Sequence, residues 1–388
     1  KTIVSLLGAI NTINSGFQVA FMTPTEILAR QHYTLAKKIF PSFINIELIS
    51  GKSEYKEKKE ILKKLENNKI DIIFGTHAIF QKKVIFNKLG LIIIDEQHKF
   101  GVNQRKKLSD KGGVDCDVLL MTATPIPRTL TMTIYGDMDI SIIREKPKNR
   151  KPIKTYSKLE AKIEDVLKFI KKEIQLNNQI FWVCPLIEES QKLDHTSAVN
   201  KFEYLEKRFP NQVCLLHGKT QLEEKNTILN NFLQNKFKIL VSTTIIEVGI
   251  DFPNANVIVI ENSNKFGLSQ LHQLRGRVGR GNKDSTCILM FKSNLSDNAK
   301  KRIKILKDTN DGFLISEEDM KLRGFGDILG FKQSGIKNFR LADPVQNEDL
   351  FLLAEKEMRR IENSGEDIRK FRPLIKLYDR ADIINDIA

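Results

Sequence analysis

The sequence predicts an α/β protein: two doubly wound parallel-sheet lobes followed by a mostly helical extension. Three observations carry this expectation. Nine short apolar runs, rich in β-branched residues, are each bounded by polar or Gly-containing turns, as strands covered on both faces should be. Between them lie segments of helical period with their charges on an outer face. After FKSNLSD the alternation gives way to helical periodicity, beginning at NAKKRIKILKDTNDG.

In chain order, FQVAFMTP, IDIIFGT, LGLIIIDE and VLLMTATP supply the strands of a first lobe, with TEILARQHYTLAKKIF and SEYKEKKEILKKLENN as helices between them. Pro147, Pro152 and a cluster of cations in IIREKPKNRKPIKT interrupt the periodicity and place a linker at about 145 to 155. QIFWVCP, QVCLLHG, FKILVST, NVIVIEN and STCILMF supply a second lobe. The expected domains are 1–148, 149–308 and 309–388, a division that a chain of 388 residues can fill with more than one core.

Lys and Arg number 63 against 48 Asp and Glu, a net charge of +15 that favours a polyanionic partner. No apolar run approaches the roughly 20 residues of a membrane span, so no transmembrane helix is expected. Cys116, Cys184, Cys214 and Cys287 are too far apart for a paired zinc spacing and read as reduced thiols. Of the six histidines, His32, His195 and His217 read as structural or surface groups. Phe181 and Trp182 read as core.

The chemistry gathers at strand ends. LIIIDEQH sets Asp95 and Glu96 directly after an apolar strand, at the carboxyl edge where open α/β sheets bind ligands. There Asp95 can hold magnesium and Glu96 can polarise a water for attack on phosphorus; a simple acidic turn is the alternative. GTHAIFQ and TATPIPRT end strands of the same sheet, although TATP also has the chemistry of an extended Pro turn. In QLHQLRGRVGRG, Arg275, Arg277 and Arg280 stand on a glycine-thinned turn suited to reaching a phosphate from another domain; a loop touching nucleic-acid backbone is the alternative.

DEQH, TATPIPRT, STTIIEVGID and QLHQLRGRVGR, in this order and at α/β-sized intervals, resemble the motor of superfamily 2 helicases. GTHAIFQ, IIIDEQHKFGVNQR, MTATPIPRTLTMTIYGDMD and FWVCPLIEES resemble, within it, the RecG family of bacterial ATP-dependent branched-DNA helicases, over essentially the whole chain. The resemblance implies two RecA-like lobes with ATP and magnesium between them. Lys1 and Thr2 then correspond to the end of Walker A, Lys1 on the β and γ phosphates and Thr2 on magnesium with Asp95. Glu96 takes the catalytic role, Gln97 and His98 link hydrolysis to movement, and Thr122, Ala123 and Thr124 couple nucleotide to DNA. Gly249 and Asp251 face the nucleotide, as do Gln273, Arg277 and Arg280, the two arginines as fingers.

The same resemblance implies DNA contacts from Pro24, Thr25 and Glu26, from Gly75, Thr76 and His77, and from Thr243 and Thr244. These are backbone contacts at loop and helix starts, giving salt-dependent binding with little sequence preference. DGFLISEEDMKLRGFGDILGFKQSG resembles the helical hairpin that RecG shares with the transcription-repair coupling factor, with Arg323 and Gln333 as its polar contacts; Phe325 stands where Pro is commoner. The implied activity is ATP-driven translocation on branched double-stranded DNA, with fork regression and Holliday-junction migration. A monomeric, cytoplasmic, nucleoid-associated protein is expected. The opening Lys1-Thr2, with no glycine before it, reads as the end of a phosphate loop whose front is missing. Two other readings are a DNA-binding fragment of low turnover and the motor of a transcription-repair coupling factor.

Overall fold

The computed structural model describes residues 1–49, 55–81, 83–96, 116–122, 139–143, 145, 151–185, 191–218, 220–243, 252–279, 281, 283–323, 347–365 and 367–373. The chain divides into two compact units, the first built on the described residues up to 122 together with 365 and 367–373, and the second on those between 139 and 364.

In the first unit, strands β1 (Gln18–Met22), β2 (Ile46–Ile49), β3 (Ile72–Gly75), β4 (Leu89–Asp95) and β5 (Asp117–Met121) form a parallel sheet in the order β2-β3-β1-β4-β5. The central strands are apolar because helices leave neither face to water: β1 is buried at every position and β4 at all but Asp95. Helix α1 (Thr2–Asn14) lays Leu6 and Ala9 on the sheet. Helix α2 (Glu26–Ile39) buries Leu28, Ala29, His32 and Ala36, a stripe one helical face wide. Its start is set by Thr25, whose Oγ1 accepts from the Leu28 backbone N–H. Helix α3 (Tyr55–Glu66) completes the layer with Ile61 and Leu65 in the core.

The second unit holds β6 (Lys154–Leu159), β7 (Gln179–Val183), β8 (Val213–Leu216), β9 (Ile239–Ser242), β10 (Ala255–Ile260) and β11 (Thr286–Phe291), again all parallel, in the order β6-β11-β10-β7-β9-β8. Helices α4 (Ile163–Gln175), α5 (Gln191–Glu206) and α6 (Leu222–Leu233) lie between its strands in sequence. The segment β8-β9-β7-β10-β11 repeats the order of the first sheet. A shared device accompanies the repeat: the first residue of β1 and of β7 is a buried glutamine. Gln18 Nε2 donates to the carbonyls of Leu65 and Ile70, and Gln179 Nε2 to those of Phe232 and Phe237. Each amide ties the end of a helix, and the segment just after it, to the root of the central strand.

Helices α7 (Leu268–Arg275), α8 (Asp297–Asp308) and α9 (Gly312–Arg323) pack together on this unit, and α10 (Glu348–Ser364) follows. All nine apolar runs form strands. Two strands lie outside those runs, β2 and β6, both at sheet edges, where one-sided cover removes the need for continuous apolar sequence.

Candidate nucleotide site and strand-end loops

In-register parallel pairing brings the motif ends of the first unit side by side. Met22 pairs with Gly75 and with Ile94, and Asp95 with Met121. Thr23-Pro24-Thr25, Thr76, Asp95-Glu96 and Thr122 therefore leave one edge of one sheet, at its carboxyl end.

Asp95 closes β4, and its Oδ1 accepts from the Glu96 backbone N–H at 3.1 Å. Glu96 takes φ of +53°, in the left-handed region. The six other non-glycine residues with positive φ among those described are all asparagine, the residue that tolerates this conformation best. A glutamate held there is strained by about 1–3 kcal/mol, and such strain gathers at functional sites.

Lys1 opens α1 as its N-cap residue, and Thr2 is the first helical residue. Lys1 is exposed, yet enough protein surrounds its ammonium that desolvation lowers its pKa; attraction to Glu96, then Asp95, acts the other way. The lysine expected on phosphate thus shares a field with the two carboxylates expected on metal and water, although 94 positions separate Lys1 from Asp95. A single carboxylate and a hydroxyl at a helix start fit magnesium, which takes few protein ligands and completes its shell with water and phosphate oxygens, while the lysine suits the phosphates themselves.

The second contact of Asp95 is one the sequence reading missed. His32, expected to be structural or at the surface, places Nε2 3.0 Å from Asp95 Oδ2, and its ring lies 4.8 Å from that of Phe21. The available signal was its place seven residues after the cap residue Thr25, on the buried stripe of α2.

The strand-end loops have local reasons for their residues. Glu26 begins α2 and pairs with exposed Arg30 one turn on, at 2.8 Å, and Thr23 Oγ1 donates to the Thr25 carbonyl. A Cβ at Gly75 would stand 2.7 Å from the Ile49 carbonyl oxygen, so packing alone demands glycine there. Thr76 precedes the short 3₁₀ helix His77–Phe80, and Thr122 directly follows β5.

In the second unit, Gln273 lies on α7 and Arg277 just beyond it. Thr243 follows β9 and is buried, its hydroxyl without a partner among the described residues. Arg275 corrects the expectation that three arginines of this motif face a phosphate. It is 2% exposed and donates to the carbonyls of Leu306 at 2.6 Å and Thr309 at 2.9 Å, a side chain spent on holding the end of α8. Burial lowers its pKa. Arg323 ends α9. Gln97, His98, Ala123, Thr124, Thr244, Gly249, Asp251, Arg280 and Gln333 lie outside the described residues. Among the described residues no cluster of three or more His, Cys, Asp or Glu could hold a metal, and no helix is long and apolar enough to cross a membrane.

Two parallel α/β lobes, with an acidic strand end and a lysine at a helix start in the first and an arginine motif in the second, define a helicase motor. Residues 1–133 match the DEAD/DEAH box helicase model and residues 161–282 the helicase conserved C-terminal domain. Two solved yeast Dbp5 structures bound to RNA and ADP BeF3 share the fold at 19% and 18% identity, with TM-scores of 0.60 and 0.59. Within that class the chain belongs to the RecG family. Residues 309–375 match domain 3, C-terminal, of ATP-dependent DNA helicase RecG. The chain is 47% identical to the Bacillus subtilis ATP-dependent DNA helicase RecG over 350 residues, 89% of this chain and 51% of the relative. It is 45% identical to the Aquifex aeolicus protein over 97% of this chain and 48% of that one. The structure of a RecG bound to a three-way DNA junction aligns with a TM-score of 0.71 at 40% identity, covering 90% of this chain and 45% of the other. The chain spans about half the length of the curated relatives it matches.

Proposed function

We propose that the chain is the motor of an ATP-dependent helicase that translocates on double-stranded DNA at branch points, regressing forks and migrating Holliday junctions. The observation that carries this reading is the gathering of Lys1, Asp95 and Glu96 at one sheet edge, with Glu96 in a left-handed conformation that, glycine apart, only asparagine otherwise adopts among the described residues. The relative solved on a three-way junction supports the branched substrate.

Lys1 binds the phosphates of ATP with its ammonium. Glu96 orients the attacking water and accepts its proton, a role a carboxylate beside phosphate can fill. Asp95 and Thr2 would hold magnesium, which when bound neutralises charge on the phosphates. Arg277 and Arg280 supply positive charge to the transferred phosphoryl group, and Gln273, Gly249 and Asp251 face the nucleotide. Pro24, Thr25, Glu26, Gly75, Thr76, His77, Thr243 and Thr244 meet the DNA backbone. Gln97, His98, Thr122, Ala123, Thr124, Arg323 and Gln333 couple the two events. The motor works as a monomer.

The test compares ATP turnover on forked and linear duplexes of equal length. Stimulation several-fold greater by the fork, lost in Glu96→Gln with DNA binding retained, is the expected result. Equal stimulation by both duplexes would remove the branch preference, and undiminished turnover in Glu96→Gln would remove the site.

A further inference from the structure

Asp95 is pinned at both carboxylate oxygens, and only one of the two contacts comes from its own strand. Oδ1 takes the neighbouring backbone N–H of Glu96 at 3.1 Å, while Oδ2 meets His32 Nε2 at 3.0 Å, from a helix 63 positions earlier in sequence. The His32 and Asp95 side chains are 10% and 13% exposed, so water competes little for the contact. An ionised carboxylate can only accept; Nε2 therefore carries the hydrogen and donates it. The imidazole is itself held, packed on Phe21 of β1, whose ring stacks on Phe74 of β3 with centroids 5.0 Å apart. The sheet core thus fixes the ring, the ring fixes Oδ2, and the direction of the remaining lone pairs of Asp95 follows.

We propose that His32 is a positioning residue for Asp95, setting the carboxylate orientation with which it takes a divalent cation. The proposal rests on the reading of Asp95 as a magnesium ligand. Partners that orient a liganding group commonly contribute 10–100-fold in metal affinity, so the effect of losing the donor is measurable.

The experiment follows Mn2+, substituting for Mg2+, by its spin-resonance signal as it binds the purified chain with ADP. His32→Phe keeps a ring on Phe21 but has no donor, and about a tenfold weaker Mn2+ affinity is expected. His32→Gln carries an amide that can donate to the same oxygen and should recover to within about threefold of the unmodified chain. In steady state, the Mg2+ concentration for half-maximal ATP turnover should rise about tenfold in His32→Phe, with turnover at saturating Mg2+ nearly unchanged. A purely structural histidine would lower thermal stability in both variants without moving either metal readout, and that result overturns the proposal. If Asp95→Asn abolishes Mn2+ binding while His32→Phe binds normally, His32 has no such role and Asp95 keeps its own. If Asp95→Asn binds Mn2+ like the unmodified chain, or the unmodified chain binds none, the reading of Asp95 fails and this proposal fails with it.

Discussion

Glu96 offers a test in which stability and activity should move in opposite directions. Its φ of +53° places a side chain with a full Cβ in a region that costs an L-residue about 1–2 kcal/mol. Asparagine bears that cost best, as Asn68, Asn177, Asn211, Asn235, Asn262 and Asn294 illustrate in this chain. Glu96→Asn should relieve part of the strain, and Glu96→Gln should retain it. Both remove the charge that attracts Lys1, so their difference isolates the backbone. Taking half to all of the lower figure gives about 0.5–1 kcal/mol in favour of asparagine. For a lobe of this size that corresponds to a melting temperature higher by roughly 2–5 °C. The assay is thermal unfolding of the two variants side by side, with single-turnover ATP hydrolysis on the same preparations. Neither variant should hydrolyse ATP. A Gln variant as stable as the Asn variant would show that the conformation is not strained, and hydrolysis by either would show that Glu96 is not the group that activates water.

Three further outcomes follow from contacts away from the phosphate. Gln18→Ala removes donors from two buried carbonyls and the acceptor for the Asn87 and Lys88 N–H groups, and should destabilise the first unit by about 2–4 kcal/mol in urea denaturation. Arg275→Ala strands the Leu306 and Thr309 carbonyls and should cost the second unit about 3 kcal/mol, whereas Arg277→Ala should spare stability and reduce ATP turnover. Burial pushes the thiol of Cys116 from 9.0 up to about 11 and that of Cys287 up to about 12, and raises Cys184 and Cys214 as well. At pH 8 the reactive thiolate of Cys116 is then about a hundredfold scarcer than for an ordinary thiol. Iodoacetamide should label the folded chain at least tenfold more slowly than the urea-unfolded one, as read by mass spectrometry.

How much of this was legible in the sequence depended on what each position had to exclude. β4 reads LGLIIID because helices cover both faces, and such a run announces a central parallel strand without any structure. β6 reads KTYSKL and β2 reads IELI; each lies at an edge, needs cover on fewer sides, and keeps polar residues that blur the signal. The change to helical periodicity after the second sheet was equally plain, because period 3.6 leaves a pattern of its own.

The site divided along a different line. Residues that meet solvent or ligand at a strand end, such as Asp95 and Glu96, stood out because an acidic pair after an apolar run has little to do with packing. Arg275 was misplaced and the partner of His32 went unseen, for one reason: a polar side chain's role is set by the partner it meets in space, which the sequence does not state. Arg275 shares a short stretch with Arg277, yet helical geometry turns it inward onto the end of α8. His32 lies on the buried face of an amphipathic helix, where a satisfied core histidine is the ordinary expectation. Here the group that satisfies it is the carboxylate on which the proposed chemistry depends. Burial of a polar residue on a core stripe is therefore better read as a question about its partner than as evidence of a structural role, since a buried donor must find an acceptor and in this lobe that acceptor is Asp95.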